Sequence, residues 1–129
     1  MKPQFLFLLI STIAHPARGG VQSRLINSLA HKEKKSINAA THEWMKTVCA
    51  EGDTSEATTL LYAPDAILWG SMSEDVRVER RDIKSYFEFF AAIPGLRVKS
   101  GSFRSVTQAF GDGMAQSTGY YTFQYPNVS

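Results

Sequence analysis

The 129-residue sequence predicts an α+β domain, and three observations carry that prediction. Two segments, Ser36 to Glu51 and Arg81 to Ala92, repeat apolar residues at helical spacing. Two long segments, Leu96 to Phe110 and Met114 to Tyr125, read as strands joined at Asp112-Gly113, a strong hairpin signal. Between the two helical segments lies Leu60 to Gly70, Leu-Leu-Tyr-Ala-Pro-Asp-Ala-Ile-Leu-Trp-Gly, which ends a helix, turns and enters an apolar run.

The elements follow in order. Met1 to Ala17 has a positive start at Lys2, a short apolar core from Phe5 to Ile10, and a small-residue cleavage site at Thr12-Ile13-Ala14. It reads as an export signal, too short to span a bilayer, and implies a periplasmic or secreted protein, or a cytoplasmic one if the segment is not a signal. Residues 18–35 read as a polar, basic linker in which Leu25, Ile26 and Leu29 can form a brief helix. Residues 36–129 are the domain. Ser36 suits a helix start, and Ile37, Ala40, Trp44 and Val48 form one buried stripe. Gly52 closes that helix, and Asp53 with Glu56 marks the start of a second, running to about Tyr62. Pro64 stops it by excluding Ala63 from the helical region, and Asp65 suits the turn and is expected to cap it. Ala66 to Trp69 reads as a short buried strand, and the alternation at Val76 and Val78 as another. In the third helix Ile83, Tyr86, Phe87 and Phe90 share a face, as core aromatics do. Gly101 reads as a bulge in the first long strand.

Composition bounds the function. Apolar content of 43% and charged content of 20% are ordinary for one globular domain. The formal charge of +2 is uneven. Residues 1–35 hold 6 of the 14 basic residues and 1 of the 12 acidic ones, which leaves 8 and 11 in residues 36–129, a net of −3. The basic pI therefore belongs to the first segment and does not argue for nucleic acid binding by the domain. Cys49 is the single cysteine, so neither an internal disulfide nor a cysteine metal motif is available, and its helical setting suits a small hydrophobe. No metal or cofactor motif is present: no glycine-rich phosphate loop, no kinase catalytic loop, no His-Glu ligand spacing.

The phrase Leu60 to Gly70, following one long helix and preceding a third helix and a long hairpin, resembles nuclear transport factor 2-like domains over Ser36 to Tyr125. It is most similar to the SnoaL-like branch and to the association domain of calcium/calmodulin-dependent protein kinase II. That resemblance implies a cone-shaped (cystatin-like) fold, three helices packed on a curved antiparallel sheet, with its last strands missing and one sheet edge unpaired. It also implies a cavity between sheet and helices. Candidates to line it are Trp44, Tyr62, Trp69, Tyr86, Arg104, Tyr120 and Tyr121, with core packing the competing role for the aromatics and solvent exposure for Arg104. A small hydrophobic ligand, or a carboxylate held by Arg104, is the implied occupant.

Enzymes of this kind, such as ketosteroid isomerase, place a carboxylate base five residues after the aspartate of the Asp-Ala turn. From Asp65 that position is Gly70, which holds no proton. Asp65 and His42 remain the weak catalytic candidates, with Tyr62 or Tyr86 as proton donor. The expectation is a non-catalytic oligomerising or small-ligand-binding module, a homo-oligomer of two or more copies. The alternative is a SnoaL-like cyclase, isomerase or dehydratase.

Overall fold

The computed structural model describes the backbone of residues 4–7, 10–13, 23–111 and 113–126 and the side chains of residues 30–110 and 113–126. Ala14, at the end of the expected cleavage site, and Asp112 lie outside them. Three helices pack against one antiparallel sheet.

Helix α1 runs Ser23–Val48, so it begins well before Ser36 and takes in most of the segment expected as a linker. Two polar contacts hold the helix to the sheet, one of them in the added stretch. The Gly113 amide donates to Glu33 Oε1 at 3.1 Å, and Thr107 Oγ1 donates to Asn38 Oδ1 at 2.8 Å. Both tie the helix to the hairpin, and Glu33 belongs to the segment that reads as a polar, basic linker. Ile37, Thr41, Trp44 and Val48 are the buried stripe. Thr41 Oγ1 bonds back to the Ile37 carbonyl, 2.9 Å, so its hydroxyl is not stranded.

Helix α2, Ser55–Thr59, is shorter than expected. Asp53 sits where a cap was anticipated, and its carboxylate accepts from the Ser55 amide and hydroxyl at 3.0 and 2.7 Å. Those bonds hold its pKa below the usual range. The Pro64-Asp65 turn forms through the Ala66 amide and the Ala63 carbonyl, 3.0 Å. Asp65 is exposed and makes no side-chain bond among the described residues, so the backbone closes the turn and not the carboxylate.

The two short strands expected next shrink to one bridge, Leu68 with Arg77. Leu68 points inward, at 8% exposure, and half-buried Ala66 packs against the core, whereas Ile67 and Trp69 are each 69% exposed. A one-sided ribbon over the core explains the apolar run better than a strand buried on both faces. Helix α3, Arg80–Phe90, buries Ile83, Tyr86, Phe87 and Phe90 as its spacing predicts. An ion pair of Lys84 with Glu56 at 3.1 Å joins it to α2.

The sheet has five strand segments in three positions. Strand β5, Met114–Gln124, is central. On one side lie β3, Arg97–Val98, and β4, Arg104–Gly111; on the other lie β1, Gln4–Phe7, and β2, Ile10–Ile13. Two expectations change here. The single strand expected over 96–110 is broken by a turn at 99–102, where Gly101 takes φ 73° and the Ser102 amide donates to the Lys99 carbonyl at 3.0 Å. The break separates β3 from β4. The sheet edge expected to stand unpaired is occupied by the chain's own first strands, with Leu6 opposite Tyr121 and Thr12 opposite Ala115.

Candidate functional site

The space between helices and sheet is filled by side chains. Trp44, Phe87, Phe90, Tyr121 and Phe123 meet in tilted and edge-on pairs, among them Phe90 with Phe123 at 5.0 Å and Tyr121 with Phe123 at 5.1 Å between ring centres. Trp44 Nε1 donates to Tyr62 Oη at 2.8 Å, which fixes the end of α2 on α1. Tyr86 stacks on Phe90, lies 5.6 Å from the Arg77 guanidinium, and sets its phenol against Gly70. Burial pushes the pKa of Tyr62, Tyr86 and Tyr121 up, so all three stay protonated at neutral pH. Tyr86 Oη lies beside Ser71 and Met72 yet in hydrogen-bond geometry with neither, and Tyr121 Oη likewise has no partner among the described residues.

The sequence-predicted lining residues therefore separate. Trp44, Tyr86 and Tyr121 are core, and half-buried Tyr62 packs against that core. Trp69 is exposed on the ribbon, which corrects its placement in a cavity. Tyr120 is 48% exposed, paired with Arg104 on the outer face of the sheet. Arg104 donates to the carbonyls of Gly101 and Phe103 at 2.9 and 2.8 Å, so it clamps the 99–102 turn from outside. Asp65 is exposed in its turn.

A groove of about 300 Å3 opens elsewhere, between α1 and the turn after β3. His42, Met45, Lys46 and Cys49 line it from one face of the helix, and Val98, Lys99, Ser100, Gly101 and Phe103 from the strand and turn. His42, the second catalytic candidate, is exposed at the groove with its ring 5.4 Å from that of Phe103. The turn is held rigidly: Lys99 N donates to Thr122 O at 2.8 Å, Ser102 Oγ donates to Lys99 O at 2.7 Å, and Thr122 N donates to Ser102 Oγ at 3.1 Å.

The groove combines an apolar set, Met45, Cys49, Val98 and Phe103, with the cations Lys46 and Lys99. No carboxylate lines it, and among the described residues neither lysine enters an ion pair. Burial pushes the Cys49 thiol up despite a backbone hydrogen bond at Val98, which makes it a poor nucleophile at neutral pH. The arrangement can hold an apolar group beneath an anion. Sequence reasoning missed it because its two walls are distant in the chain. The spacing of Met45, Lys46 and Cys49 at three, four and seven residues after His42 was a visible signal for one wall.

Among the described residues no three His, Cys, Asp or Glu side chains gather as a metal site, and no helix is long and apolar enough to cross a membrane. No family model, curated protein or solved structure matches the chain.

Proposed function

We propose that this protein is a non-catalytic module of the nuclear transport factor 2-like kind that binds a small amphipathic anion, such as a carboxylate with an apolar tail, and assembles with further copies of itself. Export to the periplasm or exterior is part of this reading and rests on the composition of Met1 to Ala17, whose cleavage would take β1 and β2 from the edge of β5 and leave that edge for a further copy. The observation that carries it is the groove: an apolar floor, Lys46 and Lys99 with no ion-pair partner among the described residues, and no lining carboxylate to oppose an anion. Its volume suits a ligand at the small end of the usual range.

The enzymatic alternative draws on His42 alone. A base and a proton donor must both reach the substrate. His42 reaches the groove, but no tyrosine or carboxylate lines it. Tyr62 and Tyr86 pack in or against the core, and Asp65 stands outside the lining. This division favours binding over turnover.

The test is calorimetric titration of the full chain with octanoate and with octanol. Saturable octanoate binding that is lost in the Lys46→Glu, Lys99→Glu double variant, with octanol binding more weakly than octanoate, supports the reading. Equal binding of the two, or octanoate binding unchanged by charge reversal, overturns it.

A further inference from the structure

The Leu68–Arg77 bridge has a second face. In an antiparallel bridge the residues flanking the pair stand opposite each other, Ile67 by Val78 and Trp69 by Val76, and project away from Leu68. All four are apolar and all four are open to solvent, at 69%, 58%, 69% and 49% exposure. None shares the groove, and none donates or accepts a backbone hydrogen bond outside the helices and strands among the described residues. Contiguous exposed apolar surface of this kind marks an interaction site.

The shape of the patch points to one occupant. One strand of the ribbon carries the large side chains, Ile67 and Trp69, and the other the small ones, Val76 and Val78. A two-fold axis running along the ribbon places the large row of each copy over the valine row of the other. The patch is thus its own complement, as an isologous interface requires. About half to two-thirds of each of the four residues is open to solvent, so stacking two copies makes the apolar centre of a contact, which its polar rim extends towards the ~1,200 Å2 at which stable interfaces begin. A central, fully covered tryptophan is also the residue type that dominates such contacts.

We propose that Ile67, Trp69, Val76 and Val78 form a homodimer interface, in which the ribbon of a second copy of this chain stacks face to face on the first. The proposal rests on the assembly half of the reading above and names the surface responsible.

The experiment is sedimentation of the full chain across a concentration series, with Trp69→Glu and Val78→Glu as interface variants and Val106→Glu as a control. Val106 is 67% exposed on the outer sheet face, so the control asks whether the sheet is the contact instead. The expected result is a wild-type dimer, a dimer in Val106→Glu, and association weakened by at least roughly 30-fold in both interface variants. Far-ultraviolet circular dichroism should stay unchanged, since the substituted side chains face solvent. A second readout needs no substitution: on dilution the tryptophan emission should shift to the red as Trp69 is uncovered, because Trp44 stays buried at 3% exposure. A wild type that stays monomeric overturns both the interface and the assembly reading. A dimer that survives in both interface variants, or is lost only in Val106→Glu, overturns this surface and leaves assembly standing.

Discussion

Gly70 closes the phrase around which the chain is organised, and replacing it tests how the core is locked. A Cβ built there falls inside the van der Waals envelope of Tyr86 Cε2 and Cζ, and 2.7 Å from its Oη. Tyr86 has no room to retreat, being 4% exposed, edge-on to Phe87 at 5.2 Å and stacked on Phe90 at 5.5 Å. Overpacking a filled core by one methyl costs 1–3 kcal/mol, and the rigidity of this ring stack places Gly70→Ala near the top, at about 3 kcal/mol. For a chain of this size that lowers the melting temperature by roughly 10 °C. The assay is urea unfolding of four proteins: wild type, Gly70→Ala, Tyr86→Leu and the double variant. Tyr86→Leu alone leaves a void and costs about 2 kcal/mol. In the double variant the new methyl occupies space the phenol vacated, so the combined loss should fall short of the sum by at least ~1 kcal/mol. A Gly70→Ala protein within about 0.5 kcal/mol of wild type, or strict additivity, would refute the packing argument.

Four further outcomes are expected. Tyr121→Phe and Tyr86→Phe should be neutral or stabilising by up to ~1 kcal/mol, because each removes a buried hydroxyl that has no partner among the described residues, whereas Tyr62→Phe should cost about 1 kcal/mol by stranding Trp44 Nε1; equal losses in denaturant titrations would count against this. The Asp53 carboxylate, its pKa lowered in the folded state, contributes stability that is present above its ordinary pKa of 3.8 and is lost as pH falls below it, so Asp53→Asn should flatten the acid limb of a stability–pH curve. Cys49 titrates in the opposite sense: burial raises its pKa from 9.0, so folding is favoured below that value and weakened as pH climbs past it, and iodoacetamide should label it slowly at pH 8, more slowly still with octanoate present. Residues 18–129 alone should melt lower and scatter more light than the full chain, because β5 loses the partners at Gln4–Phe7 and Ile10–Ile13 and bares an edge; identical melting and scattering would show that β1 and β2 carry no weight.

Much of the fold was legible locally. The buried faces of α1 and α3 follow from apolar spacing, since one turn of helix presents the same side every three to four residues. The stop at Pro64 and the hairpin at Gly113, with φ 75°, follow from backbone chemistry that acts within a few residues. The site was far less legible. Trp69 reads like Trp44 in any local window, yet one lies on an open ribbon and the other in the core. Arg104 reads as a ligand arginine, yet its guanidinium is held by the carbonyls of Gly101 and Phe103.

Residue chemistry by itself determined the helical stretches over 36–48 and 80–90, the turns at Pro64 and Gly113, and which aromatics of α3 pack inward, because each rests on contacts within one turn or one pleat. Tertiary structure decided the rest. It made residues 23–35 part of a helix tied to the hairpin at Glu33, set the first strands on β5, filled the expected cavity with rings, and brought Lys46 to the same groove as Lys99. Those outcomes depend on which distant surfaces meet, a choice governed by the total apolar area removed from water, and no short window of sequence contains it.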